Sequence, residues 1–206
     1  MSSQPSDKSG VLKDMEAVAA LERDAELMLR VREGDETSFA LLLARHRGPV
    51  VHFLYRMVQN QPVSEELAQE VFLRVYRSRA TYEPTAKFTT WLFRIATHLA
   101  LNWIRDGKHE KRQESLDQDL LEGVERQVAD RGRTIEQELL YEVKLQEVRK
   151  AIEALPDKQR AAVLMHKYQE LEYTQIASAL NCSESAVKSL LFRAYETLRA
   201  RLAHMA

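Results

Sequence analysis

The sequence predicts an all-α chain of two small helical domains joined by a flexible charged linker, and three observations carry that prediction. Breakers are scarce, with 6 glycines and 5 prolines among 206 residues, whereas Leu, Ala, Glu, Arg and Gln dominate; these are mostly residues that lose little on entering a helix. Apolar positions recur at helical spacing, and no long run of alternating β-branched residues interrupts them. Between two such stretches lies a segment dense in charge that holds Gly123 and Gly132, and it reads as a tether. The expected division is an N-terminal extension over residues 1–25, a helical domain over 26–109, a linker over 110–134 and a second helical domain over 135–206.

The extension begins with the polar "MSSQPSDKSG" and passes into "VLKDMEAVAALERDAELM", a weakly amphipathic helical pattern. Three further patterns follow, broken by "REGDETS", "QNQP" and "TYEPTAK", each of which carries turn or cap residues. In "SEELAQEVFLRVYRSR", Ser64 is the expected cap, and the buried stripe is Leu67, Ala68, Val71, Phe72 and Val75. The opposite stripe, Glu66, Gln69, Glu70, Leu73 and Arg77, is polar with an apolar residue at its centre, a pattern suited to docking a partner helix.

In "KFTTWLFRIATHLALNWIRD" the expected core stripe is Phe88, Leu92, Ile95, Ala96, Leu99 and Trp103. Thr90, Arg94, His98, Leu101 and Arg105 fall opposite, with Trp91 and Asn102 along the margin. This second face is basic and has a large ring beside it. A ring can compensate a base taken out of its stack, so the face suits unpaired nucleic acid better than duplex.

Formal net charge is −1, yet charge is segregated. Between Lys87 and Arg112, six cations against two carboxylates leave a local balance of +4, whereas "ESLDQDLLEGVE" holds five carboxylates and no cation. In the last domain, "TQIASALNCSESAVKSLLFRA" meets the demands of a helix-turn-helix: a small residue at the crossing (Ala177), a residue tolerant of left-handed backbone at the turn (Asn181), and apolar anchors (Val187, Leu190). Thr174 and Ser183 are the expected caps. Val187, Leu190, Leu191, Ala194 and Leu198 form the second helix's buried side. Ser185, Lys188, Ser189, Phe192 and Arg199 face away, with Arg193 at the edge, and suit phosphate and base-edge contact in a major groove.

Several classes are excluded. There is no glycine-rich phosphate loop, no HExxH and no nucleophile elbow, and the 6 histidines lack ligand spacing, so no catalytic residue, metal or cofactor is expected. Cys182, the only cysteine, rules out an intrachain disulfide and reads as a buried small residue. No apolar run reaches membrane-spanning length and no secretory signal opens the chain, so the expectation is a cytoplasmic protein with no membrane insertion.

Three quoted stretches, "EELAQEVFLRVYR", "FTTWLFRIATHLALNWIRD" and "LPDKQRAAVLMHKYQELEYTQIASALNCSESAVKSLLFRAYETLRARL", resemble in order and spacing the region-two and region-four patterns of the extracytoplasmic-function (ECF, group IV) sigma factors of the sigma-70 family. The resemblance spans roughly residues 26–108 and 140–203. It implies a region 2 bundle and a region 4 helix-turn-helix that together bind core RNA polymerase and promoter DNA. Glu66, Leu67, Gln69, Glu70 and Leu73 match the helix laid on the clamp helices of the largest polymerase subunit. Residues from about Tyr82 to Arg105, among them Lys87, Thr90, Trp91, Arg94, His98, Asn102 and Arg105, match the segment that opens and holds the minus-10 element, where a flipped base is captured beside the loop before "FTTWL". Ser185, Lys188, Ser189, Phe192 and Arg193 fall on the helix that reads the minus-35 element as duplex, and the acidic linker resembles the connector that threads toward the polymerase cleft.

His98 stands where the family commonly has Asn, and "AVKSL" replaces the frequent "TVKSR". The resemblance further implies an anti-sigma factor wedged between the domains and no obligate homo-oligomer; a direct contact between the domains would point to self-inhibition instead. The competing reading is an operator-binding regulator with an N-terminal sensing domain, which would bind duplex without polymerase.

Overall fold

A computed structural model describes residues 23–110 and 135–205 of the chain. Among these residues there are eight α-helices, two short 3-10 turns and no strand. The expectations for residues 1–22 and for the linker segment 111–134 lie outside the described residues.

Helix α1 covers residues 23–32 and sends Leu27, Met28 and Val31 into the core. It ends at Gly34, whose φ of +99° turns the chain where a side chain would be strained. Asp35 then caps α2 (Glu36–Val58): Oδ1 accepts from the Thr37 and Ser38 N–H groups at 2.9 and 3.2 Å, and Oδ2 accepts from the Ser38 hydroxyl at 2.7 Å. Buried Asp24 ties α1 to α2 by pairing with Arg45 and with His46 Nε2 at 2.8 Å. Helix α2 stops at Gln59, in the left-handed region with φ 56°.

Helix α3 (Gln61–Arg77) begins earlier than the expected Ser64 cap. Asn60 is the cap, accepting from the Val63 N–H at 3.1 Å, because Pro62 fits the first turn without an N–H to satisfy. Ser64 is instead fully buried and donates to the Asn60 carbonyl at 2.6 Å. A 3-10 turn (Arg79–Thr81) and an open loop lead into α4 (Phe88–Glu110).

Helix α4 departs from its expected pattern. Phe88, Leu92, Ala96 and Leu99 are buried as the periodicity demands, but Trp103 is 37% exposed and Ile95 half-buried. A second buried stripe, Phe93, Thr97, Ala100 and Ile104, accompanies the first. The reason is tertiary: α4 packs against α2 and α3 and also against two helices of the C-terminal half.

That half comprises α5 (Ile135–Glu153), α6 (Asp157–Tyr168), α7 (Tyr173–Leu180) and α8 (Glu184–Leu202), with α8 packed on α5, α6 and α7. Helix α7 starts one residue before the expected Thr174 cap. Glu172 is the cap residue, and Gln175 reaches back to accept its N–H at 2.8 Å. Asn181 takes the left-handed turn at φ 50°, and the Ser183 hydroxyl caps α8 by accepting from Ala186 N–H at 3.2 Å, both as expected. Val187, Leu191 and Ala194 are buried, with Leu190 and Leu198 packed beside them. Cys182 is half-buried rather than buried, since it lies just past the turn at the rim of a hollow. A single buried apolar cluster runs through both halves.

Candidate nucleic-acid interface

Three surfaces collect the residues singled out by sequence. The first surrounds the start of α4. The Lys87 carbonyl accepts from Thr90 N–H at 3.0 Å, which sets the first turn so that Thr90, Trp91 and Arg94 border one cleft of about 440 Å³ with Ser78, Thr81, Tyr82, Glu83 and Thr85. Trp91 is half-buried in an aromatic cluster, its ring centroid 5.0 Å from Tyr82 and 5.9 Å from Phe88. Thr90 was expected on an exposed basic face but is 4% exposed, in the wall of a cleft lined also by the loop before α4 and by Ser178 of α7.

The Oγ1 of Thr90 and the Oη of Tyr82 are buried with no hydrogen-bond partner. An orphaned polar atom of this kind costs folding free energy and is found where an incoming group can satisfy it. Burial pushes the Tyr82 phenol above its usual range, and the Asp24 carboxylate adds to that, so the hydroxyl stays protonated. Arg94, Asn102 and Arg105 are exposed farther along α4, with His98 half-buried between them, and Arg105 pairs with Asp106 at 3.1 Å. Lys87 is exposed at the mouth of the helix. Tyr82 and Glu83 stand at the start of the segment, from about Tyr82 to Arg105, that the resemblance marked for the minus-10 element; helical spacing singled out neither, since loop residues have no period.

The second surface is an apolar groove of about 590 Å³ between α2 and α3, lined chiefly by Phe39, Leu43, Phe72, Leu73 and Tyr76, with Glu36 and Arg47 among its polar residues. Of the five docking candidates, Gln69 and Leu73 line it, and Leu73 is 49% exposed. Glu66 is exposed, Leu67 packs partly into the core, and Glu70 pairs with Arg74 at 2.7 Å. Helix α2 supplies part of the groove through Phe39 and Leu43, which the sequence reading did not single out.

The third surface is the outer face of α8. Ser185, Lys188, Ser189, Phe192 and Arg193 are all exposed, Phe192 at 67%. Lys188 pairs with Glu184 at 3.0 Å, one turn back. Lys158, from the first turn of α6, joins Ser189 and Arg193 around a hollow and adds a cation that the spacing on α8 could not reveal.

A helix-turn-helix with an exposed polar face, a basic helix beside an aromatic cleft and an apolar groove on the first bundle are the features of a helical protein of the nucleic-acid-binding class. Comparison with known proteins gives the family. Residues 42–110 match Sigma-70 region 2 and residues 145–198 match Sigma-70, region 4. Over 178 residues the chain is 32% identical to the ECF RNA polymerase sigma-E factor of Escherichia coli (strain K12), covering 85% of this chain and 92% of that protein. It is 28% identical to the RNA polymerase sigma-H factor of Pseudomonas aeruginosa, covering 86% and 92%.

The fold is similar to that of CnrH, solved in complex with the cytosolic domain of CnrY, at a TM-score of 0.62 and 20% identity over 89% of this chain and 99% of the other. It is also similar to the sigma factor RpoE of Bartonella quintana, solved with the anti-sigma factor NepR, at 0.64 and 18% over 80% and 96%. The chain belongs to the ECF sigma factors of the sigma-70 family. Among the described residues, no helix is long and apolar enough to cross a membrane.

Proposed function

We propose that this chain acts in the cytoplasm as a promoter-specificity subunit: it binds core RNA polymerase, reads a minus-35 element as duplex and holds the unpaired minus-10 strand during promoter opening. It works by binding and carries out no covalent chemistry of its own. The cleft at the start of α4 is the observation that carries the reading, because a half-buried Trp beside two unsatisfied buried hydroxyls suits a single unstacked base. Unpairing costs a few kcal/mol per base, and stacking on Trp91 together with hydrogen bonds to Thr90 and Tyr82 offsets part of that cost. Arg94, His98, Asn102 and Arg105 then follow the strand along α4, with Lys87 at the entrance.

The groove between α2 and α3 receives a polymerase helix. Leu73 and Gln69 sit within it, while Glu66, Leu67 and Glu70 complete the docking helix face. On α8, Lys188 and Arg193 neutralise phosphate, Ser185 and Ser189 offer hydroxyls, and Phe192 offers an apolar contact to a thymine methyl. Two relatives in fold were solved with partners, the cytosolic domain of CnrY and the anti-sigma factor NepR, which supports an anti-sigma partner here.

Run-off transcription with purified core polymerase on a library of randomised minus-10 and minus-35 elements tests the reading. Transcripts should appear only when the protein is added and should fall on Trp91→Ala or Glu70→Arg. Absence of both transcripts and core binding, with polymerase-free binding to duplex, would move the operator-binding regulator into its place.

A further inference from the structure

Helix α1 lies ahead of residues 42–110, the stretch that matches Sigma-70 region 2, yet both of its ends bear on Tyr82, which lines the cleft at the start of α4. At its C-terminal end, Arg32 Nη1 donates to the Tyr82 carbonyl at 3.4 Å, across 50 positions of chain. At its N-terminal end, Asp24 is buried with both carboxylate oxygens engaged, Oδ1 by Arg45 and Oδ2 by His46 Nε2 at 2.8 Å. The His46 ring stands 5.4 Å from that of Phe88, a fully buried residue whose other ring neighbours are Trp91 at 5.9 Å and Tyr82 at 6.4 Å. Asp24 is also the carboxylate that helps burial to raise the ionisation of the Tyr82 phenol, although that hydroxyl has no hydrogen-bond partner.

Building on the function proposed above, we infer that α1 is the positioning element of the strand cleft: Arg32 fixes the backbone of Tyr82, while Asp24, through His46 and Phe88, fixes the aromatic wall. The need for it is local. Residues 82–87 lie in no helix, so no ladder of hydrogen bonds holds Tyr82 in place. Its N–H bonds back to the Arg79 carbonyl at 3.3 Å, and Arg32 supplies the partner for its own carbonyl. A cleft already ordered in this way receives a base without the cost of ordering the loop at that moment. The state of Asp24 matters too, because each of its oxygens already has a partner and the phenol beside it keeps its donor for the base. Arg32, Asp24 and His46 thus act through Tyr82 and Phe88 rather than by touching the strand.

The test uses holoenzyme reconstituted from the full chain and core polymerase, titrated with minus-10 strands from the promoters recovered by run-off transcription, intact or with each nucleotide in turn made abasic. In wild type, the position where an abasic nucleotide weakens binding most marks the captured base. Arg32→Ala should bind intact strand about three- to tenfold more weakly than wild type, the scale of one lost hydrogen bond. On the strand abasic at that position the two proteins should bind alike, since a positioning residue has nothing left to position. Thermal unfolding should be unchanged in Arg32→Ala, because the side chain is exposed. His46→Gln keeps a donor for Asp24 but removes the ring against Phe88, and it should show the same dependence on the base; if it fails to fold, Arg32→Ala decides alone. Equal losses for Arg32→Ala on intact and abasic strands overturn the inference, and with a shallower salt dependence they make Arg32 a phosphate contact instead. No loss on either strand overturns it as well. Those outcomes leave the promoter-specificity reading standing, whereas a wild-type holoenzyme indifferent to an abasic nucleotide at every position would sink base capture itself.

Discussion

Tyr82 and Trp91 hold their rings 5.0 Å apart at 53°, and Tyr82, from the loop, is the more deeply buried of the two at 4% exposure. Tyr82 is therefore the floor of the cleft and Trp91 its accessible wall. Tyr82→Ala should cost about 3–5 kcal/mol of stability, in line with large-to-small aromatic substitutions in cores. Tyr82→Phe removes an unpartnered hydroxyl and should leave thermal unfolding nearly unchanged. If promoter opening, followed by permanganate reactivity of the strand, falls in Tyr82→Phe while unfolding does not, the hydroxyl contacts the base.

The same phenol gives an alkaline prediction. Its ionisation is pushed above the ordinary tyrosine range by burial and then by Asp24, so the folded state keeps the proton longer than the unfolded chain does. Stability should accordingly fall as pH rises past about 10, the ordinary tyrosine value. Tyr82→Phe should flatten that decline in alkaline melting curves; an identical decline in both proteins would argue against the assignment.

At the polymerase groove, Leu73 and Phe72 should separate binding from folding. Leu73 is 49% exposed, so Leu73→Asp should alter stability by no more than about 0.5 kcal/mol while weakening the complex with core polymerase. Phe72 is 5% exposed, and Phe72→Ala should cost about 3–5 kcal/mol and reduce both properties together. Calorimetric unfolding paired with core-binding titrations checks this, and unchanged core affinity in Leu73→Asp would count against the groove.

On α8, Lys188→Ala should weaken duplex binding evenly across sequences and reduce the logarithmic salt slope by about one. Phe192→Ala should leave the salt slope unchanged and alter base preference instead, since the ring has no charge and is 67% exposed. Binding isotherms at several salt concentrations distinguish the two effects.

The Asp35 cap gives an acid-side prediction. Hydrogen bonds from the Ser38 hydroxyl and N–H hold its carboxyl below the usual range, helped by Thr37. The cap's contribution is therefore fully present above the ordinary carboxylate value near 4 and fades as pH falls through the lower folded value. Asp35→Ala should melt earlier than wild type at neutral pH, with the gap narrowing in acid, whereas Asp35→Asn should retain most of the cap.

Much of this was legible in the residues. The turn at Asn181, the cap at Ser183 and the outward face from Ser185 to Arg193 follow from local chemistry, because left-handed backbone and orphaned N–H groups admit few side chains. The caps at Asn60 and Glu172 were missed, where Pro62 and Gln175 favoured a start ahead of the nearest hydroxyl residue.

The sequence by itself determined the all-helical class, the order of the helices and the chemistry of the three surfaces, because each depends on residues within a few turns of one another. Tertiary structure decided the fate of α4. Periodicity shows that a face is apolar but not how many neighbours a helix has, and so Trp103 was placed in the core while Phe93, Thr97, Ala100 and Ile104 were not. Thr97 and Met165 stand 68 positions apart in the chain. A contact at that separation leaves no local period, so the packing of α4 against the chain's own C-terminal helices could be learned only from the folded arrangement.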